Sequence, residues 1–304
     1  MIKKIFKSLR KIILVILIIG LPIFIYFGFI ADEPVFESAY DVEIGRQSVA
    51  SISQDSIEYP ILLRGDYPEA YAFMQNMVNK IAASPEVQYA DIFKYDSVQI
   101  IHRDDVLNAF CTPGGYVYVY TGLIHYLDRA DDLAGVLGHE IAHAELRHSA
   151  IRLQKEYGRD GIMDFLLVRG VGLSGLIKAK ILKDMLTLNY SRDQEADADR
   201  YSVVYLKDTD YACNGAAGFF DKLVGAGQDG DIPEFLSDHP DSASRIKDIN
   251  NEAKEYGCNT DSGDQSGWDA FKSSLPQPVI VNSESEAQLG EAPPQTMEES
   301  AADE

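Results

Sequence analysis

The sequence predicts an α+β, mainly helical domain with a small β-sheet, preceded by one membrane-spanning helix. Three observations carry this. An uncharged apolar run, Ile12 to Ile30, follows a basic N-terminus. Apolar residues then recur at helical spacing through most of the body. The stretch LNAFCTPGGYVYVYTGL, residues 107–123, instead alternates toward extended structure around a Gly-rich turn. A chain of 304 residues is long enough for one large domain or two small ones.

Residues 1–11 carry Lys3, Lys4, Lys7, Arg10 and Lys11 and no acid. The run at 12–30 has about the length that crosses the hydrocarbon core as a helix. Pro22 is compatible with such a span. Asp32 and Glu33 follow at once. The positive-inside rule makes residues 1–11 cytoplasmic and 12–30 the anchor. Everything after it then lies on the extracytoplasmic or periplasmic side of the inner, cytoplasmic membrane. A cleaved signal peptide is the competing reading. Phe29 stands where a small residue is wanted and no cysteine is present for lipid attachment, so an uncleaved anchor is preferred.

The body reads in order as follows. Residues 38–55 and 66–83 are expected helices, the second with Tyr71, Met74, Met77, Val78 and Ile81 on one face. Val98 to His102 reads as a strand, and 107–123 as strand, turn and strand with Pro113-Gly114-Gly115 at the turn. Asp131 to Leu153 reads as one continuous helix. Residues 162–188 are apolar but hold Asp164, Arg169 and Lys178, which favours an amphipathic core or lid segment over a second span. Ser191 is a candidate N-cap for a helix to Leu206. Residues 214–225 and 241–255 are further helices. These elements make up one domain, 38–257. From 258 to 304 Ser, Gly, Pro, Gln and Glu dominate, and an acidic, disordered tail is expected.

Composition narrows the function. A net charge of −21 argues against nucleic acid as a partner, because binding it needs clustered Lys and Arg. Three cysteines, Cys111, Cys213 and Cys258, are too few for a disulfide scaffold and lack zinc-ribbon spacing. Cys213 and Cys258 can pair in an oxidising compartment, or all three can stay free.

The chemistry concentrates at His139, Glu140 and His143, an HExxH sequence within the expected helix. A helical turn is 3.6 residues, so the two histidines share a face and can hold one Zn²⁺. Glu140 lies beside the metal and suits a general base. The competing reading is a charged helix surface with two histidines. Leu133, Val136, Leu137, Ile141 and Ala142 make the helix apolar, and buried imidazoles beside a carboxylate need a partner such as a metal. Catalytic zinc usually takes three protein ligands. His148, five residues after His143, is in the wrong helical phase for a ligand and reads as surface or as packing behind the ligands. Glu195 is the better third ligand, with Asp199 four residues on to accept the N–H of a ligating histidine. A solvated acidic helix is the alternative there, since Asp193 and Asp197 lie alongside.

HEIAHAELRH, followed about fifty residues later by SRDQEADAD, resembles peptidase family forty-eight. This gluzincin family includes the CaaX prenyl proteases, the mitochondrial Oma-type proteases and bacterial periplasmic quality-control proteases. The resemblance covers roughly 38–255 and implies a zincin-like metallopeptidase domain. It also implies one Zn²⁺ per chain, Glu195 as third ligand and hydrolysis of peptide bonds. Asp41-Val42-Glu43-Ile44-Gly45-Arg46 is similar to the family's opening helix. Asn108-Ala109-Phe110 and Pro113-Gly114-Gly115 match its substrate-side strand. That match implies contacts to an extended peptide at Asn108, Ala109, Gly114 and Gly115, or else an ordinary covered hairpin. His239-Pro240 with Arg245-Ile246 matches a late motif. His239 would then donate to an oxyanion or fill the open metal position at rest, and Arg245 would aid the oxyanion or cap a helix. Tyr190 is a weaker candidate, better read as packing. The single span sets the chain apart from the many-helix prenyl proteases, so unfolded or misassembled proteins are the implied substrates. An alternative is a catalytically silent, chaperone-like or binding protein on the same fold, against which the intact Glu140 argues.

Overall fold

The computed structural model describes residues 36–167, 180–181, 190–226, 235, 239, 242–263 and 265–278. The expected basic segment and anchor, most of the 162–188 segment and residues 279–304 lie outside these. Among the described residues no helix is long and apolar enough to cross a membrane. The elements are α1 (Ser38–Gln54), α2 (Pro68–Ala82), β1 (Gln99–Ile101), β2 (Ala109–Thr112), β3 (Tyr116–Tyr120), α3 (Thr121–Tyr126), α4 (Ala130–Glu145), α5 (His148–Leu167), α6 (Arg192–Leu206), α7 (Gly215–Ala226), α8 (Ser242–Tyr256) and α9 (Trp268–Ser274). The domain is thus mainly helical with a three-stranded sheet, order β1-β3-β2.

The sheet is mixed. β1 runs parallel to β3, pairing Gln99 with Tyr118 and Ile101 with Tyr120. β2 is antiparallel to β3, pairing Ala109 with Val119 and Thr112 with Tyr116. The β2–β3 connection needs glycine twice, because Gly114 and Gly115 have φ of 80° and 84°. A Cβ on Gly114 would lie 2.5 Å from Val42 Cα of α1, and one on Gly115 2.8 Å from Phe93 Cβ. The turn is therefore packed on both sides.

α4 is the central element. Every residue from Ala130 to Glu145 is buried, its charged and polar side chains included, so those side chains need partners. It packs against α2, α5, α6, α7 and β2. Leu133, Val136, Leu137 and Ile141 enter the main core with Met74, Met77, Val119, Val203, Phe219 and Phe235.

Two expectations are corrected. The helix foreseen from 131 to 153 is two helices, broken at Arg147, which takes φ 54°. A left-handed residue with a Cβ costs about 1–2 kcal/mol. Tertiary contacts offset it, since the Arg147 guanidinium donates to Asp41 Oδ2 at 2.5 Å and to the Phe36 carbonyl at 2.7 Å. Burial pushes the Asp41 carboxyl up to about 6, with Arg147 opposing. α5 is itself kinked at Gly158.

The second correction concerns the tail. Packed structure continues past residue 258, where composition predicts the tail to begin. Trp268, Phe271 and Leu275 are buried, and Phe271 stacks on Phe73 of α2 with ring centroids 4.4 Å apart. The polar residues before them serve one buried carboxylate. Asp131, in the first turn of α4, accepts from the Ala212 amide, Ser262 Oγ, the Gly263 amide and Gln265 Nε2 at 2.7–3.2 Å. A Cys213–Cys258 disulfide ties the chain before α7 to the residues after α8. Cys111 is buried and free.

Candidate metal centre

Because α4 is buried on all sides, the polar atoms of His139, Glu140 and His143 sit in the core, at 1–2% exposure, and need partners. One turn of helix sets His139 Nε2 3.0 Å from His143 Nε2. α6 lies against α4 and starts at a capping box, in which Ser191 Oγ accepts from the Gln194 amide and Gln194 Oε1 from the Ser191 amide. Glu195 and Asp199, one turn apart, then face α4 from the buried side of α6. Glu195 Oε2 lies 3.5 Å from His139 Nε2, and Oε1 3.5 Å from His143 Nε2. His239, ahead of α8, places Nδ1 2.9 Å from Glu195 Oε1 and 3.2 Å from His139 Nε2.

The donor set fits a cation. His139 Nδ1 is 3.0 Å from Asp199 Oδ1, so the proton belongs on Nδ1 and Nε2 presents a lone pair. That lone pair meets His143 Nε2 and a carboxylate oxygen, an arrangement of acceptors that repels itself without a positive charge between. Bonds of about 2.0–2.1 Å give a tetrahedron with edges of roughly 3.3 Å, and the separations above bracket that value. Among the described residues His139, His143, Glu195 and His239 are the group whose ligand atoms all lie within 4.8 Å of one another.

Electrostatics around the group follow from burial and one guanidinium. Arg245, from α8, donates Nε and Nη2 to the two oxygens of Asp199, each at 2.7 Å. Its Nη1 reaches Glu195 Oε2 at 2.9 Å and the His239 carbonyl at 3.2 Å. Burial opposes charge on Asp199, but Arg245 holds the carboxyl below its ordinary value. Burial likewise opposes charge on Glu195, and His239, His139 and His143 hold that carboxyl far below its usual range. Burial also opposes charge on His139, yet the Asp199 and Glu195 carboxylates hold it up at about 9. Burial drives His143 well below its ordinary value. A metal bound there displaces a proton from His139, so affinity falls on acidification.

Glu140 stands apart from the ligand atoms. Burial raises its pKa, while the charges of His239 and His139 and the amide of Cys111 oppose the rise. Its Oε1 is buried without a hydrogen-bond partner and lies 3.5 Å from His239 Nε2. The Cys111 contact brings β2 to the centre. β2 bonds to β3 on one side, and among the described residues no strand pairs with its other side. Asn108 is buried at the start of β2, with Oδ1 accepting from the Ala109 amide. Gly114 and Gly115 sit in the packed β2–β3 turn, against Val42 and Phe93.

Two residues that the sequence reading kept out of the ligand set pack directly behind it. His148 is 4% exposed and places Nδ1 2.8 Å from His143 Nδ1. It is not one of the four clustered ligand residues, and the break at Arg147 is what brings it behind His143. Tyr190 stacks on the His143 ring, with centroids 3.8 Å apart and planes 20° apart, and shares a hydrogen bond with Ser149 Oγ. Its position next to the capping box was the available signal.

The family model for "Peptidase family M48" matches residues 68–253. Among curated relatives, the chain is 35% identical over 148 residues to the mitochondrial metalloendopeptidase OMA1 of Schizosaccharomyces pombe, covering 48% of this chain and 44% of that protein. It is 31% identical over 153 residues to the metalloprotease YcaL of Escherichia coli, covering 49% and 59%. It is 29% identical over 164 residues to the beta-barrel assembly-enhancing protease of Yersinia pestis, covering 50% and 34%. The aligned region thus spans from a third to three fifths of the length of these relatives.

Proposed function

We propose, from the premise that the chain belongs to peptidase family M48, that it is a zinc-dependent endopeptidase. In this reading His139, His143 and Glu195 are the metal ligands and Glu140 is the general base. The observation that carries it is the meeting of His139 Nε2, His143 Nε2 and the Glu195 carboxylate at 3.0–3.5 Å, with the unpartnered Glu140 Oε1 nearby. Zinc supplies, when bound, a nucleophile at neutral pH and polarisation of the scissile carbonyl. Glu140 takes up a proton at its carboxylate and returns it to the leaving amine. Asp199 holds the His139 ring through Nδ1–H, and Arg245 holds Asp199. His239, with Nδ1 beside Glu195 and His139, would complete the ligand set of a bound zinc at rest or would donate to the developing oxyanion. The edge of β2 that faces away from β3, beside Asn108 and Ala109, takes an extended peptide, which gives affinity with little sequence preference. Gly114 and Gly115 keep the β2–β3 turn that presents this edge.

Unfolded or misassembled proteins outside the cytoplasmic membrane are the substrates this reading favours. Main-chain recognition supports it, as do the relatives named as a metalloendopeptidase and an assembly-enhancing protease. Removal of zinc by phenanthroline should abolish casein cleavage, and equimolar zinc should restore it. A folded protein that is free of metal and does not hydrolyse casein would instead be the silent binding protein. The apolar run at 12–30 behind five basic residues supports a single-pass anchor. The full chain should resist alkaline carbonate extraction, and a chain without residues 1–30 should be released into the supernatant. Extraction of the full chain would count against the anchor.

A further inference from the structure

We propose that His148 is a positioning residue of the metal centre. Its Nδ1 accepts the Nδ1–H of His143 and so holds that imidazole in the tautomer that turns Nε2 toward the metal. The inference rests on the reading of His143 as a zinc ligand.

The geometry comes from three features. His143 Nδ1 and His148 Nδ1 are 2.8 Å apart. Two ring nitrogens at that distance share one proton, so one donates and the other accepts. His143 Nε2 faces His139 Nε2 and Glu195, where a proton on it would point at the ligand cluster. The proton therefore belongs on His143 Nδ1, and His148 Nδ1 is the acceptor.

The second feature is Arg147. A continuous helix would carry the fifth residue past His143 to another face. The left-handed Arg147, clamped to Asp41 and the Phe36 carbonyl, ends α4 and restarts the chain so that His148 comes back beneath the ligand. The first turn of the domain's opening helix thus holds the backbone that places His148. The third feature is Tyr190, which covers one face of the His143 ring, so rotation of the imidazole is blocked on that side while His148 fixes its edge. Each of the paired ligands thereby has its own acceptor at Nδ1, Asp199 for His139 and His148 for His143.

The test uses the full chain and zinc alone, with affinity read by competition against a chelator. Loss of such a partner typically weakens metal binding about 10–100-fold. His148→Leu should bind zinc about 10–100-fold more weakly than the parent. His148→Asn, whose Oδ1 stands where Nδ1 stood, should recover most of that loss. A His148→Leu protein within threefold of the parent overturns the proposal, as does a His148→Asn protein no better than His148→Leu. Nitrogen-detected NMR of the zinc-loaded parent gives a reading independent of any variant's folding. His143 should carry its proton on Nδ1, and a proton on Nε2 overturns the proposal. A parent chain that binds no zinc refutes the zinc reading itself, whereas a zinc-binding parent matched by His148→Leu refutes the role of His148 alone.

Discussion

Glu140→Gln is expected to lower the turnover of casein by about 10³-fold, within the 10²–10⁴ range for loss of a positioned general base. The substitution preserves the shape of the side chain and leaves an oxygen to accept from the Cys111 amide. It removes the ability to hold a proton. Glu140 is not among the ligand atoms of the four-residue group, so zinc content and thermal stability should stay near those of the parent. The carboxylate is 2% exposed, with Oε1 unpartnered. A buried anionic oxygen left open is costly for the fold and suits a proton acceptor at the reaction centre. Turnover within a few-fold of the parent would sink the assignment. A loss of zinc would show that the residue acts on the metal and not on the proton.

Arg245→Met should lower the stability of the metal-free protein by about 3–5 kcal/mol, the range for breaking one side of a buried ion pair. For a domain of this size the midpoint of thermal unfolding falls on the order of 10 °C. Arg245 is 6% exposed and contacts Asp199, Glu195 and the His239 carbonyl at once. The guanidinium carbon lies 4.1 Å from the centre of the Phe220 ring, and methionine keeps an apolar chain of similar reach beside that ring. What is lost is the positive charge facing two buried carboxylates. In the zinc-loaded protein the deficit should shrink, because the dication compensates Glu195 and binding to the folded state adds to stability. Denaturant unfolding of both forms tests this. An equal deficit with and without zinc, or a deficit under 1 kcal/mol in the metal-free form, would contradict it.

Local rules served the elements well wherever the signal was periodic. Tyr71, Met74, Met77, Val78 and Ile81 were placed on one face of a helix by spacing, and all are buried in α2. Ser191 was placed at an N-cap by residue type, and it closes a capping box. The same rules failed at Arg147 and in the tail. Nothing local marks a left-handed arginine, since the residues that hold it, Asp41 and Phe36, are about a hundred positions away. Ser262, Gly263 and Gln265 read as disordered tail because their common acceptor, Asp131, lies far back in the chain, in α4.

The sequence by itself determined that His139 and His143 share a face with Glu140 beside them. Helical period is a property of neighbours, and an apolar surround demands that such groups be partnered. It also pointed to the family, through two short segments, HEIAHAELRH and SRDQEADAD. Only the tertiary structure decided which distant groups complete the centre. Glu195 and His239 reach within 3.5 Å of the paired histidines because α6 packs on α4 and because Phe235 and His239 lie against His139. His148 reaches His143 because a contact with the opening helix breaks α4 one residue earlier. Those approaches are set by burial of apolar faces and by buried charges seeking partners across the whole domain, and neither leaves a periodic trace in the chain.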